Sequence, residues 1–335
     1  MLAIAAAGCA LFAASTGFLM LFLARSVIGL GFAGGLMASF KASSIWVELG
    51  RRSLANTMIM SFGGLGIVTA TAPTELIVDL LGWRATFVIF AAAILAVAVF
   101  IFLIVPERRS SSSSAIATQL DELLRILKLP LFWRIAPLLA LTSGSQIAIQ
   151  TLWAGPWFRD VMGLSRDDVA RHLLWVAMAF TAGILSLGVI ADRLGRLGVS
   201  PIRVMLTAQL VFFIAQAVIV LQTAALVVPA WLLSAATGQV AIIAYPWFAE
   251  HVGNELAGRS NASINFAMFA AAFAIQYLIG VIIGFFPPTA TGYGALSYSW
   301  AFGTFLVLQL LALAWYLLAP HLSARDFSYG QSGSR

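Results

Sequence analysis

The stretch Gly188-Val189-Ile190-Ala191-Asp192-Arg193-Leu194-Gly195-Arg196 decides how the chain is read. It lies between two long apolar runs, at about 169–190 and 203–221, in a sequence with few charges anywhere. One acid, two arginines and two glycines at that place mark a boundary between hydrophobic segments. Composition says what those segments are. Of 335 residues, 61% are hydrophobic and 10% charged, against roughly a quarter charged in an average soluble domain. A soluble fold of this size has too little interior to hide so much apolar surface. The fold class is therefore all-α, a polytopic membrane protein.

Apolar segments fall at about 1–14, 18–45, 54–80, 84–105, 133–157, 169–190, 203–221, 226–249, 262–286 and 298–319. A crossing needs about 20 mostly apolar residues, which all but the first supply. Residues 1–14 run into the turn Ser15-Thr16-Gly17 too soon, and no basic residue precedes them as in a signal peptide. The chain is expected to begin inside a helix. Basic residues orient the spans. With Met1 on the cytoplasmic side, thirteen basic residues fall in inward loops and the tail and only Arg84, Arg159, Arg166 and Arg171 in outward loops. The net charge of +6 thus reads as topology, and no basic run offers a nucleic-acid site.

The one long connection opens with Pro106-Glu107-Arg108-Arg109 and Ser110 to Ser114, a flexible polar linker. Leu120, Leu123, Leu124 and Leu127 follow at helical spacing, predicting a short amphipathic helix on the cytoplasmic surface that ends at Pro130. The expected organisation is an N-terminal half of four spans (1–105), a cytoplasmic linker (106–132), a six-helix C-terminal half (133–320) and a cytoplasmic tail (321–335).

The spacing G-x-x-x-D-R-x-G-R at 188–196 resembles the signature loop of the major facilitator superfamily of secondary transporters. Arg25-Ser-Val-Ile-Gly29-Leu-Gly31 is similar to the superfamily's fourth-helix pattern, with Ile28 where many members carry glutamine. Ala72-Pro73 resembles the fifth-helix proline motif of its antiporter branches, without their Gly-Pro and glycine pair. The resemblance implies a twelve-helix plan in which 188–196 closes the eighth helix. Counting back, the chain would start in the third. It implies a multi-pass transporter of the inner (plasma) membrane that moves a small-molecule substrate by alternating access, both termini of this chain cytoplasmic. Its partners would be that solute, the lipid bilayer and, as a candidate coupling ion, the proton. The alternative is a truncated or non-transporting fragment of such a protein. A ten-span transporter of two five-helix repeats fits less well, because its linker should follow the fifth span.

Within the signature, Asp192 at a helix end suits backbone N–H groups and the dipole of a neighbouring helix. Arg193 and Arg196 suit acids such as Glu250 and Glu255, and Gly188 and Gly195 suit close helix approach. Together these five residues are expected to form a conformational latch. The alternative is an ordinary inward-positive loop.

Polar groups inside hydrocarbon are costly and face cavities or other helices. Gln146, Gln150, Trp153 and Trp157 fall on one face at spacings of four, three and four. The resemblance makes their helix cavity-lining, along with the helix carrying Gln239, Tyr245, Pro246 and Trp247. Substrate-cavity candidates are Arg25, Gln146, Gln150, Trp153, Gln239 and Tyr245; Trp157 and Trp247 read better as interfacial aromatics. Arg25 lies roughly 10 Å inside the outer boundary, positioned for an anionic group, a coupling proton or snorkelling outward. Lys41 and Glu75 lie nearer span ends and snorkel. Asn261 and Asn265 form a packing pair, Gly31/Gly35 and Gly280/Gly284 suit close crossings, and Ser165-Arg-Asp-Asp168 predicts a capping box.

No catalytic constellation is present, so the chain is not read as an enzyme. The lone Cys9 excludes a disulfide framework or cysteine metal site. His172, His251 and His321 have no ligand partner at helical spacing, and no phosphate-binding glycine loop occurs. No metal and no cofactor is expected.

Overall fold

The computed structural model describes residues 1–48, 52–105, 123–252, 257–289 and 292–319. They fall into two compact units, Met1–Ser113 and Ser114–Arg335. Both are built of apolar helices, because in hydrocarbon a helix satisfies its own backbone. Seven helical stretches are long and apolar enough to cross a membrane, and two shorter apolar helices accompany them.

The first unit holds α1 (Leu2–Ala13), α2 (Phe18–Phe32), α3 (Gly35–Trp46), α4 (Arg52–Thr69) and α5 (Ala72–Ile104). Small residues bring α1 and α2 together. A Cβ on Gly31 would fall on the Ala5 backbone, and one on Gly8 would lie 2.7 Å from the Ile28 nitrogen. The turn between them closes when the Ser15 hydroxyl donates to the Phe12 carbonyl at 2.6 Å. Helix α5 covers that turn: Arg84 donates to the Ser15 carbonyl, and Phe87 stacks on Phe12 with ring centroids 4.2 Å apart.

Two expected spans are divided here. The run 18–45 breaks at Ala33–Gly34, between α2 and α3. The run 54–80 breaks before Ala72, where Pro73 starts a new helix because it lacks the N–H to continue the old one. That new helix continues through Gly82, whose φ of 78° and ψ of 156° kink it. Only glycine takes such a backbone cheaply, so the expected boundary at Gly82-Trp83-Arg84 survives as a kink. Of the glycine pair Gly31/Gly35, only Gly31 makes a close crossing.

The second unit holds α6 (Pro130–Ala148), a π-helical turn (Ile149–Trp153), α7 (Ala154–Asp160), α8 (Arg166–Arg196), α9 (Pro201–Leu221), α10 (Val227–Thr237), α11 (Ala241–Val252), α12 (Ala257–Gly284) and α13 (Ala295–Leu318). A two-residue antiparallel pair, Pro288–Thr289 with Gly292–Tyr293, lies before α13. The predicted cap is present: the Ser165 hydroxyl accepts from the Asp168 amide at 3.3 Å at the start of α8. Helix α6 packs chiefly on α12, where a Cβ on Gly144 would lie 2.9 Å from Ala271. Helix α8 packs on α10 through Gly183, whose added Cβ would strike the Ala236 carbonyl.

Of the expected amphipathic stretch, residues 123–127 are helical; Leu123 and Leu124 are exposed, and Ile126 is buried in the unit's core. Leu120 and the serine run lie outside the described residues. Trp133 fixes the stretch by donating to the Leu127 carbonyl at 2.7 Å.

Gly183→Val is expected to destabilise the protein by about 1–3 kcal/mol, the cost of overpacking a tight crossing. Gly188→Ala, inside the same helix and with nothing within 4 Å of its added Cβ among the described residues, is expected to stabilise by roughly 0.5–1 kcal/mol, the helical cost of glycine. Thermal unfolding of the detergent-purified variants checks both.

Candidate polar site in the second unit

The core of the second unit is two apolar clusters. One, toward Pro130, contains Leu138, Leu139, Phe212, Val240 and Ala312. The other, toward Asp160, contains Ala148, Trp157, Ala235 and Phe305. Where α6 passes from one to the other, Thr142, Ser143, Ser145 and Gln146 are all buried. Helix α13 makes the same passage through Gln309, and α9 contributes Gln209 and Gln216. A polar layer therefore separates two apolar ones inside a membrane span.

An unpaired amide in an apolar interior costs roughly 2–7 kcal/mol, so these side chains pair with one another. Gln209 donates to the Thr142 hydroxyl. Gln309 donates to the Gln216 carbonyl at 3.1 Å, and Gln146 to the Gln150 carbonyl at 2.6 Å. The Ser143 and Ser145 hydroxyls and the Gln209 and Gln309 carbonyl oxygens have no partner.

Two helix irregularities meet this layer. Helix α10 ends at Thr237 and α11 begins at Ala241. Gly238, at the break, lies so close to Gln146 that a Cβ there would be 2.6 Å from its Cγ. Gln239, in the break itself, is half-buried. On the other side of Gln146, residues 149–153 form the π turn. The Thr151 hydroxyl donates to the Ile147 carbonyl at 2.7 Å, and Gln276 of α12 donates to Thr151 at 2.8 Å. The Trp153 indole donates to the Gln276 carbonyl at 3.1 Å.

Of the sequence candidates, Gln146 and Gln150 are brought together, with Trp153 on the same π turn and Gln239 beside them across Gly238. Tyr245 sits further along α11, donating to Asn265 at 3.1 Å and to Met268. Of the expected pair Asn261/Asn265, Asn265 thus packs through Tyr245, and the Asn261 side-chain oxygen is without a partner among the described residues. Arg25 belongs to the first unit and is exposed on α2. Trp157 is fully buried among Phe158 and Trp231, and Trp247 stacks on His251 with centroids 4.2 Å apart. Gln146 meets Gly238 at the end of α10 and Trp157 meets Trp231 within it, whereas Trp153 turns to Gln276 and Gly280 of α12. A π turn adds a residue, which rotates everything beyond it by about 100° relative to a continuous α-helix.

The signature residues fall differently from expectation. They are the last turns of α8, not a loop; the chain turns only after Arg196, at Gly198 with φ 83°. Asp192 pairs with Arg196 of its own helix at 2.9 Å, both exposed. Arg193 is exposed as well. Among the described residues, nothing lies within 4 Å of a Cβ added at Gly188 or Gly195, whereas Gly183 is in close contact with α10. Similarly, Gly280 meets Trp153 while Gly284 is open. The Glu250 side chain, Glu255, the Lys41 side chain and His321 lie outside the described residues.

Sequence reasoning passed over Gln209, Gln216, Gln276 and Gln309, though each is an amide inside an apolar run and the criterion that found Gln146 applies to them. Gly238 carried no signal beyond being a glycine next to Gln239. Among the described residues, no group of three histidine, cysteine or acidic side chains is placed to hold a metal.

A bundle of apolar helices with a buried polar layer and interrupted helices at its centre has the build of a membrane transporter. Residues 1–276 match the family model of the Major Facilitator Superfamily, and the chain belongs to that superfamily. The sequence matches no curated protein. Its fold is similar to that of a bacterial homologue of the human lysosomal transporter Spinster, solved in an inward-facing, unoccupied conformation. That match has TM-score 0.70 and 16% identity over 97% of this chain and 82% of the other. A D-xylose–proton symporter matches with TM-score 0.68 and 15% identity, over 97% of this chain and 81% of its own. The E. coli fucose:proton symporter matches with TM-score 0.57 and 15% identity, over 93% and 81%.

The exposed Asp192–Arg196 pair is expected to contribute about 0.5 kcal/mol or less. Asp192→Asn should therefore unfold at nearly the wild-type temperature, whatever it does to transport.

Proposed function

We propose that this chain is a secondary transporter that moves a small, neutral, hydroxyl-bearing solute by alternating access. Gln146, Gln150, Trp153, Gln239 and Tyr245 serve the solute on the side of the second unit. The observation that carries the reading is the break at Gly238–Val240 set against Gln146. Transporters of this general build bind substrate where interrupted helices expose backbone groups near mid-membrane. Gln146 lies midway along the span Pro130–Asp160.

The substrate class follows from the donors and acceptors. The polar layer is made of amides and hydroxyls, and amides offer both donors and acceptors to a hydroxyl. Charged side chains of α6, α9 and α12, namely Arg134, Arg203 and Arg259, stand in their first turns. The two symporters of xylose and fucose among the similar folds point the same way. Rocking of the two units about the site would alternate access, with the domain plan 1–105, 106–132, 133–320 and 321–335 dividing the moving halves from the linker and tail. Asp192, Arg193 and Arg196, on an exposed helix end, act as a latch on the cytoplasmic side, and the membrane is the cell inner membrane with both termini of this chain cytoplasmic. Arg25, exposed on α2, is the group of the first unit that takes part in proton coupling.

Purified protein in proteoliposomes is expected to take up radiolabelled D-xylose or L-fucose. Gln146→Leu should lower the initial rate about tenfold, the loss of one or two hydrogen bonds. Asp192→Asn should slow uptake while leaving stability unchanged. Uptake of charged solutes with neutral sugars silent would overturn the substrate class, and a rate unchanged on collapse of the pH gradient would remove the proton as coupling ion.

A further inference from the structure

The π turn is the least regular piece of α-helical backbone in the second unit, and it carries Gln150 and Trp153. Its conformation is held from outside. Helix α12 reaches it through one residue used twice: the Gln276 side-chain amide donates to Thr151 at 2.8 Å, and the Gln276 backbone carbonyl accepts from the Trp153 indole at 3.1 Å. Thr151 passes the contact on, its hydroxyl donating to the Ile147 carbonyl. One turn further along α12, Gly280 leaves room for the Trp153 ring, which lies 3.3 Å from where a Cβ would stand.

Just past the turn, Pro156 has no N–H to give the Leu152 carbonyl, so the local sequence itself disfavours a regular α-helix here. What it does not set is which way the side chains of the turn are held; that is left to the contacts with α12, and π turns of this kind occur frequently at functional sites. The Gln146–Gln150 contact at 2.6 Å is an i,i+4 pair that an ordinary helix would also make; what lies in and beyond the turn is Trp153, held against α12, and Trp157, in the aromatic cluster. Without the π turn, residues beyond the insertion would rotate by about 100°.

We propose that Gln276 is a positioning residue of the polar site. It holds residues 149–153 in the π register and so sets which way Gln150 and Trp153 face. This rests on the reading of the polar layer as the solute site, but its central claim is about register and is testable without a substrate.

The test uses the full-length protein in proteoliposomes with Cys9→Ala, which removes the sole cysteine. Gln150→Cys and Gln239→Cys are made separately, and the rate of labelling by a water-soluble maleimide is measured for each. Gln276→Leu and, independently, Thr151→Val remove the same hydrogen bond from its two ends. Each is expected to lower labelling at position 150 about fivefold, the population change that losing one ordinary hydrogen bond brings, while position 239 labels at its original rate. Equal labelling at position 150 with and without either substitution overturns the proposal, as does a parallel change at both positions, which means general loosening. If neither cysteine labels before Gln276 is altered, the site is closed to water, and it is the solute-site reading that fails. Hydrogen exchange over 147–155 then decides the register claim alone: faster exchange in both variants supports it, and unchanged exchange overturns it.

Discussion

The second unit depends on one constraint: an amide inside a membrane has to find a partner in the protein. Gln146, Gln209, Gln216 and Gln309 are buried away from water, and leaving any of their amides wholly unpaired would cost more than a single hydrogen bond returns. They are consequently drawn into one layer, and their pairing fixes how α6, α9 and α13 are rotated against each other. The apolar clusters on either side have no such directionality. Leucine and phenylalanine pack in many rotations, but Gln209 reaches Thr142, and Gln309 reaches Gln216, in few.

Irregular backbone gathers at the same layer, for a related reason. Helix breaks in hydrocarbon are tolerated where other groups take over the freed backbone partners or where the break lines a cavity. The interruption at Gly238–Val240 and the π turn at Ile149–Trp153 flank Gln146 from two sides. A fold that needed only to span the bilayer would have no reason to concentrate both there. The contrast with the first unit is instructive: its kink at Gly82 and its break before Pro73 each follow from a residue that dictates backbone locally.

Small residues and charges divide their work along α8. Gly183 sits in the interface with α10 and permits contact that no larger residue could make. Five residues on, Gly188 is open, and the helix then ends in exposed charge, with Asp192 and Arg196 paired within one turn. Such a pair adds little to stability.

How much of this was legible beforehand varies with how local the signal is. Apolar runs and the charged packet at 188–196 determined membrane insertion, the helical class and the superfamily, because length and hydrophobicity act along the chain itself. The Ser165 cap was likewise readable, being a contact between residues three apart. The positions of Gln146 and Gln150 were readable as polar exceptions in a span. Their company was not: that Gly238 lies against Gln146, that Trp153 turns to α12, and that Ile126 is buried while Leu123 and Leu124 are exposed all depend on what lies opposite. Helical spacing assumes a uniform rotation of about 100° per residue. The π turn breaks that rule where Pro156 leaves the Leu152 carbonyl without its helical N–H, and Gln276, more than a hundred residues away in the chain, contacts the side chains of the turn. Sequence alone determined what these residues are and that they lie in a membrane. Tertiary structure decided which of them face each other, because a side chain's partner stands on another helix.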